Sequence, residues 1–240
     1  MPPYLLPLKD RREVAEGTMA FWFDTSGTDF SFKPGQYANF SLQEPVTENP
    51  DDGYRLFSLA SSPHHKDTVL IVSRMRDTPF KNSLKTIPLG TKLKVTRPAG
   101  KFLLHEDTAK PAVFLAGGIG ITPFLSMTEW LSTQNSPQKI YLFYSNRTPA
   151  STAFLKELLD WEKQNPQLKL IPTVTDVEDP NWRHEQGFLD EDMIRKYVTE
   201  MDQAIFYAVG PPPMVEAMDQ LLERMGIPPE RIRLEKFDGY

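Results

Sequence analysis

The chain has 240 residues, enough for one large domain or two of ordinary size, and its 40% hydrophobic and 25% charged content is that of a globular protein with real cores. It contains no cysteine, which excludes disulfides, cysteine-ligated iron–sulfur clusters and thiolate nucleophiles, so redox chemistry here requires an organic cofactor. A net charge of −5 argues against general nucleic-acid binding. No run approaches the roughly 18 apolar residues of a membrane helix, and Met1 to Asp10 lacks a secretory pattern, so the expected setting is the cytoplasm.

The first part of the chain reads as strands over 13–24, 36–42, 54–61, 69–75 and 91–97, rich in Val, Phe, Tyr, Ile and Thr. Turn signals such as Ser26-Gly27, Pro34-Gly35, Asp52-Gly53 and Leu89-Gly90 punctuate them. A helical turn is expected near 80–86. This pattern predicts an antiparallel β-barrel. Beyond about residue 110 the rhythm changes. Short apolar strands at 112–116, 139–144, 168–174, 204–209 and 231–235 alternate with helices at 122–133, 151–163, 190–198 and 212–225. Asp190 offers an N-cap, and Gly226 followed by Pro228-Pro229 a stop. Such alternation predicts an α/β domain with a parallel sheet. The expected division is 1–105 and 106–240. Charge follows it: residues 1–105 carry 14 Lys/Arg against 11 Asp/Glu, and the remainder 13 against 21.

Three segments carry chemistry. In Arg55-Leu56-Phe57-Ser58, alternation places Arg55 and Phe57 on one face, a cation beside a planar ring. That suits a cofactor with a phosphate and a flat ring; an edge strand with an exposed Arg and a core Phe accounts equally for the same residues. In Ala112–Pro123, an apolar strand runs into Gly117, Gly118 and Gly120, with Thr122 and Pro123 opening a helix. Glycines admit close approach of a pyrophosphate, and a helix N-terminus supplies N–H donors. The third, Phe206 to Val215, is again strand, turn (Gly210-Pro211) and helix (Met214), opening at the same carboxyl edge of the sheet, where ligands of open α/β folds bind.

In this order the three segments resemble the ferredoxin–NADP reductase superfamily along essentially the whole chain. The resemblance implies a flavin-dependent NAD(P)H oxidoreductase with FAD in the barrel and NAD(P)H as substrate. It implies that Arg55 pairs with the flavin phosphates, that Phe57 stacks on the isoalloxazine, and that Ser58 hydrogen-bonds near its N5, with Leu56 between them. Val72, Ser73 and Arg74 would line the cofactor, and Phe80-Lys81-Asn82-Ser83 would hold its pyrophosphate. Gly117, Gly118, Gly120, Thr122 and Pro123 would bind the dinucleotide, and Gly210, Pro211 and Met214 would approach the nicotinamide. Many relatives carry Cys where this chain has Val209. Glu235 and Phe237 match an acidic residue and an aromatic that cover the flavin, with Tyr240 competing for the stacking role. The residues expected to act on the reaction are Ser58, Glu235 and Phe237.

Ser145 and Arg147 follow the second α/β strand, where relatives meet the adenosine ribose; with no acid there, they lean toward the 2′-phosphate of NADPH. His64, His65, His105 and His184 stand in no metal-ligand spacing and read as exposed or singly bonded, so no metal is expected. Between Arg74 and Lys101 lie eight basic residues and one acid, Asp77. They read either as a solvated face or as a docking surface for an acidic carrier such as ferredoxin or flavodoxin. An oxygenase component is another acceptor class. Two other readings remain open: a reductase of free flavin or another small molecule, and a nucleotide-sensing or electron-transfer subunit without turnover.

Overall fold

The computed structural model describes residues 2–44, 48–177 and 179–237. The first half is a six-stranded antiparallel sheet formed by β1 (Tyr4–Ala15), β2 (Thr18–Asp24), β3 (Tyr37–Ser41), β4 (Tyr54–Ser58), β5 (Thr68–Arg74) and β6 (Lys92–Val95), in the order β4-β3-β6-β1-β2-β5. The two edges nearly meet: beyond β4, the Ala60 N–H donates to the Leu70 carbonyl at 2.8 Å, and the Leu70 N–H to the Ser61 hydroxyl at 3.0 Å. Leu6, Leu8, Phe21, Phe23, Phe40, Ile71, Leu93 and Val95 fill the interior and are wholly buried. The helix α1 (Pro79–Thr86) starts where expected, capped by the Thr78 side chain.

The strand expected over 13–24 is two strands. Gly17, at φ +63°, turns the chain back at Glu16-Gly17, a conformation that costs glycine little. The preceding strand is hidden in the sequence because Pro7 and the charged run Lys9–Arg12 interrupt its alternation; only Leu6 and Leu8 point fully inward.

The second half is a parallel sheet of β7 (Ala112–Gly117), β8 (Ile140–Asn146), β9 (Leu168–Val174), β10 (Glu185–Gln186), β11 (Ile205–Gly210) and β12 (Ile232–Lys236), in the order β10-β9-β8-β7-β11-β12. Its helices are α2 (Ile121–Thr133), α3 (Leu155–Gln164), α4 (Glu191–Tyr197) and α5 (Pro212–Arg224). Asp190 caps α4 by accepting from the Met193 N–H at 2.8 Å. α3 begins four residues later than expected. Thr148 and Ser151 cap a separate short turn over 149–151, and Phe154 sits at φ +58° before the helix can start. The two-residue β10 is too short to leave a periodic signal.

The chain leaves β7 first toward β8 and β9, then returns to place β11 and β12 on the other side of β7. That reversal opens a crevice at the carboxyl ends of β7 and β11. The barrel packs against this half through one apolar cluster in which Ala20, Ala60, Leu70 and Val72 meet Phe102, Ile119, Phe124, Leu125 and Tyr207. Polar links join them as well: the Ser126 hydroxyl donates to the Ser61 carbonyl at 2.7 Å, and the Glu16 N–H to the Ala150 carbonyl at 2.9 Å. Among the described residues, no helix is long and apolar enough to cross a membrane.

Candidate active site

At the strand-order reversal, a cavity of about 310 Å³ is lined by Tyr37, Leu56, Phe57, Ser58 and Val72 from the barrel, and by Ile119, Thr122, Glu235, Lys236 and Phe237 from the other half. Both halves are needed to enclose it, and the size is that of a small-ligand pocket.

The two turns beneath it are pressed together. A Cβ on Gly120 would lie 2.2 Å from the Val209 carbonyl oxygen; one on Gly117 would lie 2.7 Å from the Met214 sulfur, and one on Gly210 would lie 2.9 Å from it. These three glycines therefore let the β7 and β11 turns touch. Gly118 differs, with φ +54° and open space where its side chain would be. The helix α2 starts at Ile121 rather than Thr122, and Pro123 sits in its first turn, where its missing N–H costs nothing. The Thr122 hydroxyl donates to the Ile119 carbonyl at 3.0 Å and shapes that turn. Pro211 is exposed ahead of α5.

β12 lies beside β11 with Glu235 opposite Val209. The Glu235 carboxyl is the most perturbed acid of the pocket: burial pushes its pKa up to about 7, and its Oε2 is enclosed without a hydrogen-bond partner. A proton-bearing carboxyl held in a cleft is what proton delivery near neutral pH requires. Phe237 rests half-buried at the lip, its N–H donating to the Gly210 carbonyl at 3.0 Å. Tyr240 lies outside the described residues.

On the barrel side, β4 puts Phe57 and Ser58 inward, each 8% exposed, and leaves Leu56 60% exposed. Most of the Phe57 ring is committed to the barrel interior, with ring centroids 5.8 Å from Phe40 and 6.0 Å from Phe80. The same residue also lines the cavity. Phe80 is wholly buried, so its side chain packs in the barrel core and only its backbone is available to a ligand at the start of α1. Lys81 is 5% exposed, with its ammonium on the Arg74 carbonyl at 2.9 Å. Burial, then the charges of Arg76 and Arg55, lower its pKa. Three cations thus crowd the start of α1, an arrangement that an anion relieves. Asn82 is exposed and bonded to Asp77 at 2.7 Å, and Ser83 is half-buried. Val72 lines the cavity, whereas the buried Ser73 hydroxyl donates to the Arg74 carbonyl at 3.2 Å.

A second cleft of about 600 Å³ gathers Arg74, Arg76 and Arg147 with Glu16, Thr148, Ser151 and Asp176. Arg147 is 81% exposed at its side chain and reaches Asp176 at 3.8 Å. Ser145 stands half-buried at the end of β8. Sequence reasoning missed Asp176 and Arg76 here, because they follow different strands and carry no local motif.

Residues 114–220 match the oxidoreductase NAD-binding domain family. The reductase component of propane 2-monooxygenase from Rhodococcus jostii is 29% identical over 216 residues, covering 87% of this chain and 56% of that protein. The flavohemoprotein of Rhodopirellula baltica is 33% identical over 217 residues, covering 86% and 53%. The chain thus spans little more than half the length of these relatives. Among solved structures, the flavohem-like FAD/NAD binding domain of nitric oxide dioxygenase from Vibrio cholerae superposes with a TM-score of 0.86 at 17% identity, covering 99% of each chain. The cytochrome b5 reductase domain of Ulva prolifera nitrate reductase superposes with a TM-score of 0.82 at 22% identity, covering 97% of each.

Proposed function

We propose that the chain belongs to the ferredoxin–NADP reductase superfamily and is an NAD(P)H-dependent flavoprotein reductase serving a separate electron acceptor. The observation that carries this reading is the cavity at the strand-order reversal, walled by β4 and β5 on one side and by the β7 turn and β12 on the other. FAD bound there supplies a ring that accepts hydride and passes electrons on. The residues fit it: Ser58 offers a hydroxyl at the cavity wall, and Glu235 a carboxyl with an enclosed, unpartnered oxygen. Arg55, Arg76 and Lys81 supply positive charge for a pyrophosphate.

In this reading Thr122 and the Gly118 turn receive the dinucleotide, and Val72 and Ile119 exclude water from the reacting face. Glu235 holds a proton beside Val209, and Phe237 covers the cavity until a nicotinamide displaces its ring. Positioning does most of the work, because hydride transfer between stacked rings depends on proximity and orientation. NADPH is favoured because Arg74, Arg76 and Arg147 share one cleft; Asp176 offsets part of that charge. Residues 1–105 serve the flavin and residues 106–240 the nicotinamide nucleotide. The names of the relatives, reductase components among them, support a partnered reductase over one that reduces free flavin.

The acceptor we assign is an acidic carrier protein. Of the eight basic residues from Arg74 to Lys101, Lys81 is buried, Arg97 pairs with Asp29 at 3.2 Å, and Arg74 and Arg76 line the second cleft. Lys85, Lys92, Lys94 and Lys101 remain as the exposed surface, with Lys92 and Lys94 both on the outer face of β6. The test is steady-state NAD(P)H oxidation by the purified protein after its flavin has been identified. A small neutral dye should be reduced at a rate indifferent to salt. Transfer to an acidic carrier should slow steeply up to about 0.15 M salt, where screening acts over about 8 Å. Lys92→Glu with Lys94→Glu should slow the carrier only. A colourless protein active with added flavin refutes the bound cofactor, no turnover with any acceptor refutes the enzyme, and equal loss with both acceptors refutes the docking face.

A further inference from the structure

Away from the crevice, the loop between β4 and β5 carries His64 and His65 against Glu129 on α2, so that the barrel and the α/β half meet there through three side chains able to bind a metal. We propose that His64, His65 and Glu129 form a site for a divalent transition-metal ion of the zinc class, bridging the two halves. One nitrogen of each imidazole and one carboxylate oxygen all lie within 4.8 Å of one another. His65 Nε2 is 2.7 Å from Glu129 Oε1, and the His64 and His65 rings lie tilted by 40° with centroids 3.8 Å apart. His64 Nδ1 is enclosed and has no hydrogen-bond partner, a coordinating atom left without its acceptor or ion.

The surroundings orient these groups. The Ser62 N–H donates to Glu129 Oε2 at 2.9 Å, fixing the carboxylate from behind and leaving Oε1 toward the histidines. Nearby cations oppose an ion: Lys66 beside His64, and Arg12, which shares the adjoining cavity and is partly balanced by Glu157 at 3.6 Å. With an ion bound, His65 Nε2 and Glu129 Oε1, 2.7 Å apart, would open and the wider ligand pairs would close toward the roughly 3.3 Å spacing of tetrahedral zinc. Imidazole and carboxylate donors select zinc, copper or nickel over magnesium and calcium. Two cavities, of about 520 and 410 Å³, both border Glu129 and leave room for water in the fourth position.

This site is independent of the reductase reading. An untagged, metal-free preparation titrated with Zn²⁺ should bind one ion per chain and gain thermal stability. Co²⁺ in its place should give ligand-field absorption beyond the flavin bands. His65→Ala and Glu129→Gln, each retaining the wild-type circular dichroism, should weaken binding about tenfold or more. In the wild-type chain, Zn²⁺ should protect His64 and His65 from diethyl pyrocarbonate, a readout that needs no variant. Binding that is absent, does not saturate at one ion, or persists equally in the variants overturns the proposal, as does equal modification of both histidines with and without zinc.

Discussion

The turn after β7, pressed on the turn after β11, and the β4 strand of the barrel support the same cavity by different means. At the turns, backbone meets backbone: Gly120 lies against the Val209 carbonyl, and Gly117 and Gly210 lie against the Met214 sulfur. On β4, side chains are divided between two duties, with Phe57 in the barrel interior, Leu56 in the open, and Arg55 near the cations of α1. The comparison teaches that the turns tolerate little variation in shape, whereas on β4 Phe57 is held by the fold and Leu56 and Arg55 can be exchanged at less cost to it.

The sharpest way to break this comparison is Gly120→Ala. A methyl group 2.2 Å from a carbonyl oxygen forces the two turns apart, at a cost of about 3 kcal/mol or more. Denaturant unfolding should show the loss, with Gly118→Val as its counterpart: positive φ there costs only about 1–2 kcal/mol, and the effect should fall on KM for NAD(P)H with flavin content unchanged. Equal stability losses at the two positions would erase the distinction between contact glycine and ligand glycine.

Glu235 sharpens the comparison through pH. With its folded pKa near 7 and the ordinary value at 4.5, the unfolded chain loses this proton first as pH rises. Stability should therefore fall between about pH 4.5 and 7, by up to about 3 kcal/mol, and level off above. Glu235→Gln in the flavin-free protein should remove that slope. A variant whose pH–stability curve parallels the wild type over this window would show that the carboxyl is ionised in the folded state.

The smallest effect on the fold belongs to Arg55→Ala. It should leave unfolding nearly unchanged while weakening flavin affinity by about 1.5–3 kcal/mol, up to roughly a hundredfold, because a phosphate loses a charge-assisted partner. Retention of full yellow colour on dilution would remove Arg55 from the site.

The legibility of these features in the sequence tracks the same contrast. The α/β strands and the glycine turns were readable because strand–turn–helix punctuation is local, and a glycine reports on backbone wherever it falls; Glu235 came only from the resemblance. The barrel was readable as a class, but β1 hid behind Pro7 and its charges. The directions of Phe80 and Lys81 depended on packing from elements far away in sequence. Asp176 beside Arg147, and Glu129 beside His64 and His65, are juxtapositions made only by folding, across 29 and 64 to 65 positions.

The apolar cluster shared by the barrel and the sheet also settles how the cavity can be entered. Ala20, Leu70 and Val72 lie in one continuous interior with Phe102, Phe124 and Tyr207, so the two topological halves behave as one mechanical body. Prying them apart would wet that interior at about 25 cal/mol for each Å² of apolar surface exposed. Rotating the half-buried ring of Phe237 from the lip exposes far less. In the proposed reading, turning one side chain at the rim of β12 would open the cavity at less cost than parting the two halves.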